Sequence, residues 1–240
     1  VALLSSFAGL TGDKIPGVTN GLLVYLDAGI SYPGGSIWYD LSGNANNGVL
    51  TVPPTYTSTG NGYFTFNGAN TEVTLSSNYP LVVNNFSAEV WCLPLTTINV
   101  SSPESNSGTD GIVAGGNIIN AQQGPDAGFG LAVGTNGVVS IEHAGSYMPP
   151  ILVAPLTITS LTQIVIVYTN KQPSLYINGV LTRTGRTSTR TNVSLNGSKI
   201  GSSSYTYWTG NLYALKYYNR SISASEVEQN FNSLRTRYGV

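Results

Sequence analysis

Two asparagine–glycine pairs, each set between short alternating runs, constrain this chain more than any other feature. Leu175-Tyr176-Ile177 and Val180-Leu181-Thr182 flank Asn178-Gly179, and Phe129–Val133 and Val138–Glu142 flank Asn136-Gly137. Asn and Gly tolerate the positive φ angles that a two-residue hairpin requires, so both sites predict antiparallel β-hairpins. The surrounding sequence repeats the theme. Leu22–Leu26, Glu72–Leu75, Phe86–Leu93, Gln163–Thr169 and Gly210–Tyr218 read as strands, separated by segments rich in Gly, Asn, Ser and Pro. In Phe86–Leu93, residues Phe86, Ala88, Val90 and Cys92 share one face, and Ser87, Glu89 and Trp91 share the other.

One helix is predicted, at the C-terminal end. Ser223-Ala224-Ser225-Glu226 forms a capping box, and Val227, Phe231, Leu234 and Tyr238 follow at helical spacing before Gly239. The expected architecture is all-β, a two-sheet antiparallel jelly-roll sandwich over about residues 21–222, with a helix over Ser223–Tyr238 outside it. A chain of 240 residues suits one such domain.

The stretch Gly21–Leu50 carries a family resemblance. Leu26-Asp27-Ala28-Gly29, the spacer Ser31-Tyr32-Pro33-Gly34, then Trp38-Tyr39-Asp40-Leu41-Ser42-Gly43-Asn44 and Asn46-Asn47-Gly48-Val49-Leu50 resemble the opening of laminin-G-like, concanavalin A-like jelly rolls. Phe64-Thr65-Phe66-Asn67-Gly68, Phe86–Trp91, Leu175–Val180, Lys199-Ile200-Gly201, Trp208-Thr209-Gly210 and Tyr218–Ser223 follow in the family's order. The resemblance spans about residues 21–240 and is similar to domains appended to bacteriophage virion proteins and bacterial surface proteins. It implies a structural module on a virion or in an extracellular setting, with other subunits or further copies of itself as partners. The alternative it implies is a lectin-like module for host cell-surface glycan. One fold hosts many functions, so the site must decide.

Composition excludes several classes. Charged residues make up 9% of the chain and the net charge is −1, which gives no electrostatic basis for binding nucleic acid or an anionic membrane. No apolar run reaches the roughly 18 residues of a membrane helix. The single cysteine, Cys92, leaves no internal disulfide. There is no His/Cys cluster for zinc, no phosphate-cradling loop and no dinucleotide fingerprint. His143 is the sole histidine and lacks a nucleophile-elbow motif, so a structural role is expected.

Glycan-cleaving relatives place carboxylates on alternate positions of one strand, about 5 Å apart. Of the eleven acidic residues, only Glu226 and Glu228 are two apart, and they fall on the predicted helix. Glu89 and Glu142 are strand-borne but single. A non-enzymatic protein is therefore expected.

Candidate binding residues divide into four groups. Tyr147, Tyr205 and Tyr207 lie in loop-like contexts and offer rings on which sugar faces stack. Trp38 and Trp208 offer rings too but match core positions. Arg183, Arg186 and Arg190 crowd one short tract, either as solvated loop charges or as a contact for an anionic glycan or a subunit. Asp27, Asp40 and Asn44 offer oxygen atoms near one strand end, either capping turns or holding calcium, which the resemblance allows at loop rims; Asp110 and Asp126 are weaker candidates. Residues 1–20 form an arm and linker outside the pattern. Its Leu3, Leu4, Phe7 and Leu10 share one apolar side, for docking on a neighbouring subunit or covering its own domain.

Overall fold

The structure, a computed structural model, describes residues 15–76, 79–106, 115–122, 126–145, 148–202 and 206–240. Leu3, Leu4, Phe7 and Leu10, together with Tyr147, Tyr205 and Asp110, lie outside the described residues. In chain order the strands are β1 (Leu22–Asp27), β2 (Ile37–Trp38), β3 (Gly48–Val52), β4 (Thr55–Thr57), β5 (Tyr63–Asn67), β6 (Glu72–Leu75), β7 (Tyr79–Val83), β8 (Phe86–Pro94), β9 (Asn117–Ile119), β10 (Ala127–Gly134), β11 (Gly137–His143), β12 (Pro150–Pro155), β13 (Thr162–Thr169), β14 (Gln172–Ile177), β15 (Val180–Thr184), β16 (Val193–Leu195), β17 (Lys199–Ile200) and β18 (Thr209–Tyr218). A one-turn helix, α1 (Ala28–Ser31), follows β1, and α2 (Ala224–Tyr238) closes the chain.

The strands form two sheets. The smaller runs β15–β14–β13–β8–β18–β5–β4, with β1 also on β18; the larger runs β12–β11–β10–β9–β17–β6–β3–β2, with β16 joining β10 to β7. Among the described residues the pairs are antiparallel except β10 with β16, a two-residue parallel contact at Ala127–Val193 and Gly128–Ser194. This is the expected two-sheet sandwich.

The core fills the space between the sheets with Phe64, Phe66, Phe86, Val90, Phe129, Leu131, Ile166, Trp208 and Tyr217 among its members. Trp38 and Trp208 are fully buried there, so neither is an open sugar platform. Cys92 lies in this core, and burial pushes its thiol pKa well above the usual value. The alternate face of β8 is buried as well. Trp91 packs with Tyr25, Val165, Tyr218, Val227, Leu234 and Tyr238, because α2 lies across the outside of the smaller sheet. A central strand covered on both faces explains why even Ser87 and Glu89, on the set opposite Phe86, are fully buried.

The helix obeys its local code. Ser223 accepts from the Glu226 amide at 3.2 Å, and the Glu226 carboxylate accepts from the Ser223 amide at 2.7 Å. Gly239 ends it with φ 72°, in the left-handed region that a residue with Cβ avoids.

Under the helix lies a buried polar layer. Glu89 accepts from the Trp91 indole (2.9 Å), the Gln163 amide (3.1 Å) and the Asn230 amide (2.7 Å). Lys216 is also buried, 4.7 Å above the Tyr25 ring, and donates to the Pro16 carbonyl at 2.9 Å. Burial lowers its pKa against the attraction of Glu89 and Asp27. The Val18 amide donates to Asn230, and the Tyr218 hydroxyl donates to the Val18 carbonyl. The described part of the N-terminal linker, residues 15–20, therefore packs on its own domain, beside α2.

Candidate functional site

The predicted calcium ligands are spent on protein donors. Asp27 is fully buried and caps α1 through the Gly29 amide (3.1 Å). Its oxygens also receive the Tyr25 hydroxyl (2.9 Å) and the Arg237 guanidinium (2.8 Å for one of two bonds). Asp40 accepts from the amides of Tyr25, Ser42 and Asn46 and from the Ser42 hydroxyl, all within 2.7–2.9 Å. The Asn44 amide nitrogen donates to the Leu22 and Leu23 carbonyls. The carboxylates of Asp27 and Asp40 are thus engaged by N–H and O–H donors of the protein, and Asn44 contributes its amide nitrogen to the same turn. Asp126 accepts from the Asn192 amide at 3.1 Å, and among the described residues no group of three His, Cys, Asp or Glu side chains is placed to hold a metal ion.

The arginine tract does not converge either. Arg183 pairs with Glu104 at 2.7 Å. Arg190 lies near Glu142, and Arg186 is exposed, its amide donating to the Ile151 carbonyl of β12. Tyr207 is 40% exposed and bridges Ser202, just past β17. β12 and β17 are separated by β11, β10 and β9, so Tyr207 lies roughly 15–20 Å from the Arg186 anchor at about 4.8 Å per strand. Among the described candidates, Tyr207 and the backbone anchor of Arg186 thus lie on different strands of the larger sheet.

The strand-borne acids occupy different layers. Glu89 faces α2 outside the smaller sheet. Glu142 faces inward from the larger sheet, fully buried, with Oε2 accepting from the Ser188 hydroxyl at 2.6 Å and Oε1 without a hydrogen-bond partner among the described residues. Burial raises the Glu142 pKa to about 7, with Ser188, Arg190 and Lys171 opposing and Asp126 reinforcing. The sole histidine turns its ring nitrogens to the Ala121 and Gly145 carbonyls at 2.5 and 2.9 Å.

An open cavity of about 540 Å³ lies elsewhere, between α2 and the β14–β15 hairpin. Tyr176, Asn178, Val180 and Leu181 line the hairpin side, and Glu228, Phe231, Asn232 and Arg235 the helix side. Asn178 and Gly179 have φ 49° and 82°, the pair of positive values that a tight hairpin demands. The contact there is close: a Cβ on Gly179 would lie a tight 3.3 Å from Phe231 Cβ and 3.5 Å from Glu228 Cα. The hairpin tip therefore rests on the helix and closes one side of the groove.

Phe231 is held rigidly. Its ring stacks on Trp91 at 5.9 Å and 6°, and the Arg235 guanidinium sits 5.4 Å from it. Asn178 Oδ1 accepts from the Gln163 backbone N–H, and among the described residues its Nδ2 has no hydrogen-bond partner. Among the described residues, the Tyr176 hydroxyl and the side chains of Glu228, Asn232 and Arg235 form no hydrogen bond or ion pair. Val180 and Leu181 are 68% and 53% exposed. The groove thus offers acceptors, donors and an apolar wall in one place. Sequence reasoning passed over it because Glu228, Asn232 and Arg235 read as the solvated face of an amphipathic helix. The only hint was Val180-Leu181, apolar residues just past a hairpin turn.

Comparison with known proteins agrees with this architecture. A family profile described as the concanavalin A-like lectin/glucanases superfamily matches residues 67–228. The chain belongs to this superfamily. No curated protein sequence matches it. Among solved structures, this concanavalin A-like domain is similar to the binding domain of Paraclostridial Mosquitocidal Protein 1, with TM-score 0.61 and 17% identity over 90% of this chain and 52% of that one. It is similar to the Trypanosoma rangeli sialidase in complex with the inhibitor DANA, with TM-score 0.62 and 16% identity over 96% of this chain and 38% of the sialidase. It is also similar to domain 4 of a GH43 extracellular arabinanase from Geobacillus stearothermophilus, in complex with arabinotriose. That TM-score is 0.58 with 16% identity, over 87% of this chain and 97% of that domain. The chain spans about half of the toxin binding domain and less of the sialidase. At these identities the likeness is one of fold.

Proposed function

We propose that this concanavalin A-like domain is a non-catalytic carbohydrate-recognition module. The observation that carries this reading is the fate of its polar groups. The strand-borne carboxylates that a glycosidase would aim at substrate, Glu89 and Glu142, are fully buried and lie in different layers. Unpaired donors and acceptors instead meet beside exposed apolar side chains in the α2–hairpin groove. The arabinanase domain, of nearly the same extent and in complex with arabinotriose, supports the reading by fold.

A second reading, a structural module of a phage virion or cell surface, is supported by the 9% charged content, which suits close-packed polar assemblies. Its partners would be other subunits or further copies of this chain, and its location extracellular or on a virion surface. The two roles are compatible in one molecule.

The test is a glycan array probed with the labelled protein, alongside reducing-sugar release from a polysaccharide panel. Binding to one glycan group without release is expected. Release of sugar, or an array without binding, overturns the proposal.

A further inference from the structure

We infer that the groove between α2 and the β14–β15 hairpin is a saccharide subsite, and that it takes an uncharged sugar presenting adjacent hydroxyls. This rests on the carbohydrate-recognition reading and adds to it a place and a ligand class. The first argument is the inventory of free groups. Glu228 only accepts, Arg235 only donates, and the Tyr176 hydroxyl and the Asn232 amide do both, while Asn178 contributes a free Nδ2 donor. A sugar hydroxyl both donates and accepts, so neighbouring hydroxyls are served by a wall that mixes the two. Among the described residues, none of these groups has to leave a hydrogen-bond or ion-pair partner first.

The second argument is charge. The groove has one carboxylate and one guanidinium, seven positions apart on α2, or about 10 Å along the axis at 1.5 Å per residue. Their charges cancel over the length of a small saccharide. A carboxylate-bearing sugar at Arg235 would meet Glu228 in the same groove. Arg235 is also drawn over the Phe231 ring, which reduces what it can offer an anion. A neutral ligand uses both side chains and pays for neither mismatch.

The third argument is shape. Phe231, Val180 and Leu181 supply apolar surface for the C–H face of a sugar ring, and Trp91 fixes the Phe231 ring from behind. The volume of about 540 Å³ falls within the roughly 300–1,000 Å³ of small-molecule sites. The groove lies against the helix-covered side of the smaller sheet, on elements fixed by Gly179 and the buried layer beneath α2.

The experiment is isothermal titration of the full chain with neutral trisaccharides (arabinotriose, maltotriose, cellotriose and mannotriose), and with sialyllactose and trigalacturonate. Asn232→Ala, Glu228→Gln and Tyr176→Phe alter the groove; Thr55→Ala, an exposed position on the far edge strand of the smaller sheet, is the control. Thermal melting checks that each variant is folded. We expect binding of at least one neutral trisaccharide, weakened about three- to tenfold by each groove variant, as for loss of one hydrogen bond, and unchanged in Thr55→Ala. Groove variants that bind as wild type overturn the site while leaving carbohydrate recognition intact. Tighter binding of either acidic sugar overturns the ligand class. Failure of every sugar, neutral and acidic, sinks the recognition reading and this inference together.

Discussion

Arg237, in the last turn of α2, holds both carboxylate oxygens of Asp27, which ends β1 and lies 210 positions earlier in the chain. The Tyr25 and Tyr238 hydroxyls reach the same carboxylate. The pair joins the first strand of the sandwich to the helix that covers it. The Asp27 side chain is fully buried, whereas that of Arg237 remains 25% exposed.

Removing the guanidinium would leave the Asp27 charge buried without its ion-pair partner, which costs on the order of 3–5 kcal/mol. Arg237→Gln is therefore expected to lower unfolding free energy by about that amount in urea denaturation. The double variant Asp27→Asn, Arg237→Gln should recover part of the loss. A single variant as stable as wild type would show that the pair does not anchor the helix.

Glu142 makes stability depend on pH. Its folded pKa is about 7, above the ordinary carboxylate value of 4.5, because burial disfavours the charge. Between those values the folded state holds a proton that the unfolded chain has released. The Glu142 contribution to stability is thus full below about pH 4.5 and falls as pH rises to about 7, by up to roughly 3 kcal/mol at about 1.4 kcal/mol per pH unit. Glu142→Gln should flatten this window and melt above wild type at pH 8. Melting temperatures measured from pH 4 to pH 8 check it; parallel curves for the two proteins would refute it.

Ser223→Ala should destabilise the domain by about 1 kcal/mol, through loss of the bond to the Glu226 amide. Ser223→Asp should retain most of that stability, because Asp also caps helix starts. Chemical denaturation of both variants separates capping from a general tolerance of the site.

Gly179→Ala should cost roughly 1–3 kcal/mol, since it places a side chain at φ 82° and crowds Phe231. Gly34→Ala also substitutes a positive-φ glycine, but in open space. The difference between their melting temperatures therefore reports the contact of hairpin and helix; equal losses would mean that backbone strain alone is responsible.

What could be read from sequence was local. The Asn178-Gly179 turn and the Ser223–Glu226 box carry their own chemistry, and both formed where expected. The β13–β14 turn was hidden because Asn170 and Lys171, at φ 48° and 70°, replace the usual glycine. Their backbone is held from outside, the Lys171 amide donating to the Asn84 carbonyl and the Asn170 amide to the Asn85 side chain. β12 escaped because Pro150 and Pro155 bound it, and proline within a run argues against a strand; its place at the edge of the larger sheet tolerates them. The second hairpin shifted by one, its turn being Thr135-Asn136 between Gly134 and Gly137. The groove was illegible for another reason. Tyr176 and Asn232 are far apart in sequence, and only the docking of α2 on the hairpin brings them to one surface.

The burial of Cys92 gives the molecule an internal timer. It is the only thiol in the chain, fully enclosed between the sheets and held protonated by its surroundings. A thiol-reactive dye in native buffer can reach it only when the two layers separate. The labelling rate therefore counts separations of the sandwich directly, without denaturant or an engineered probe.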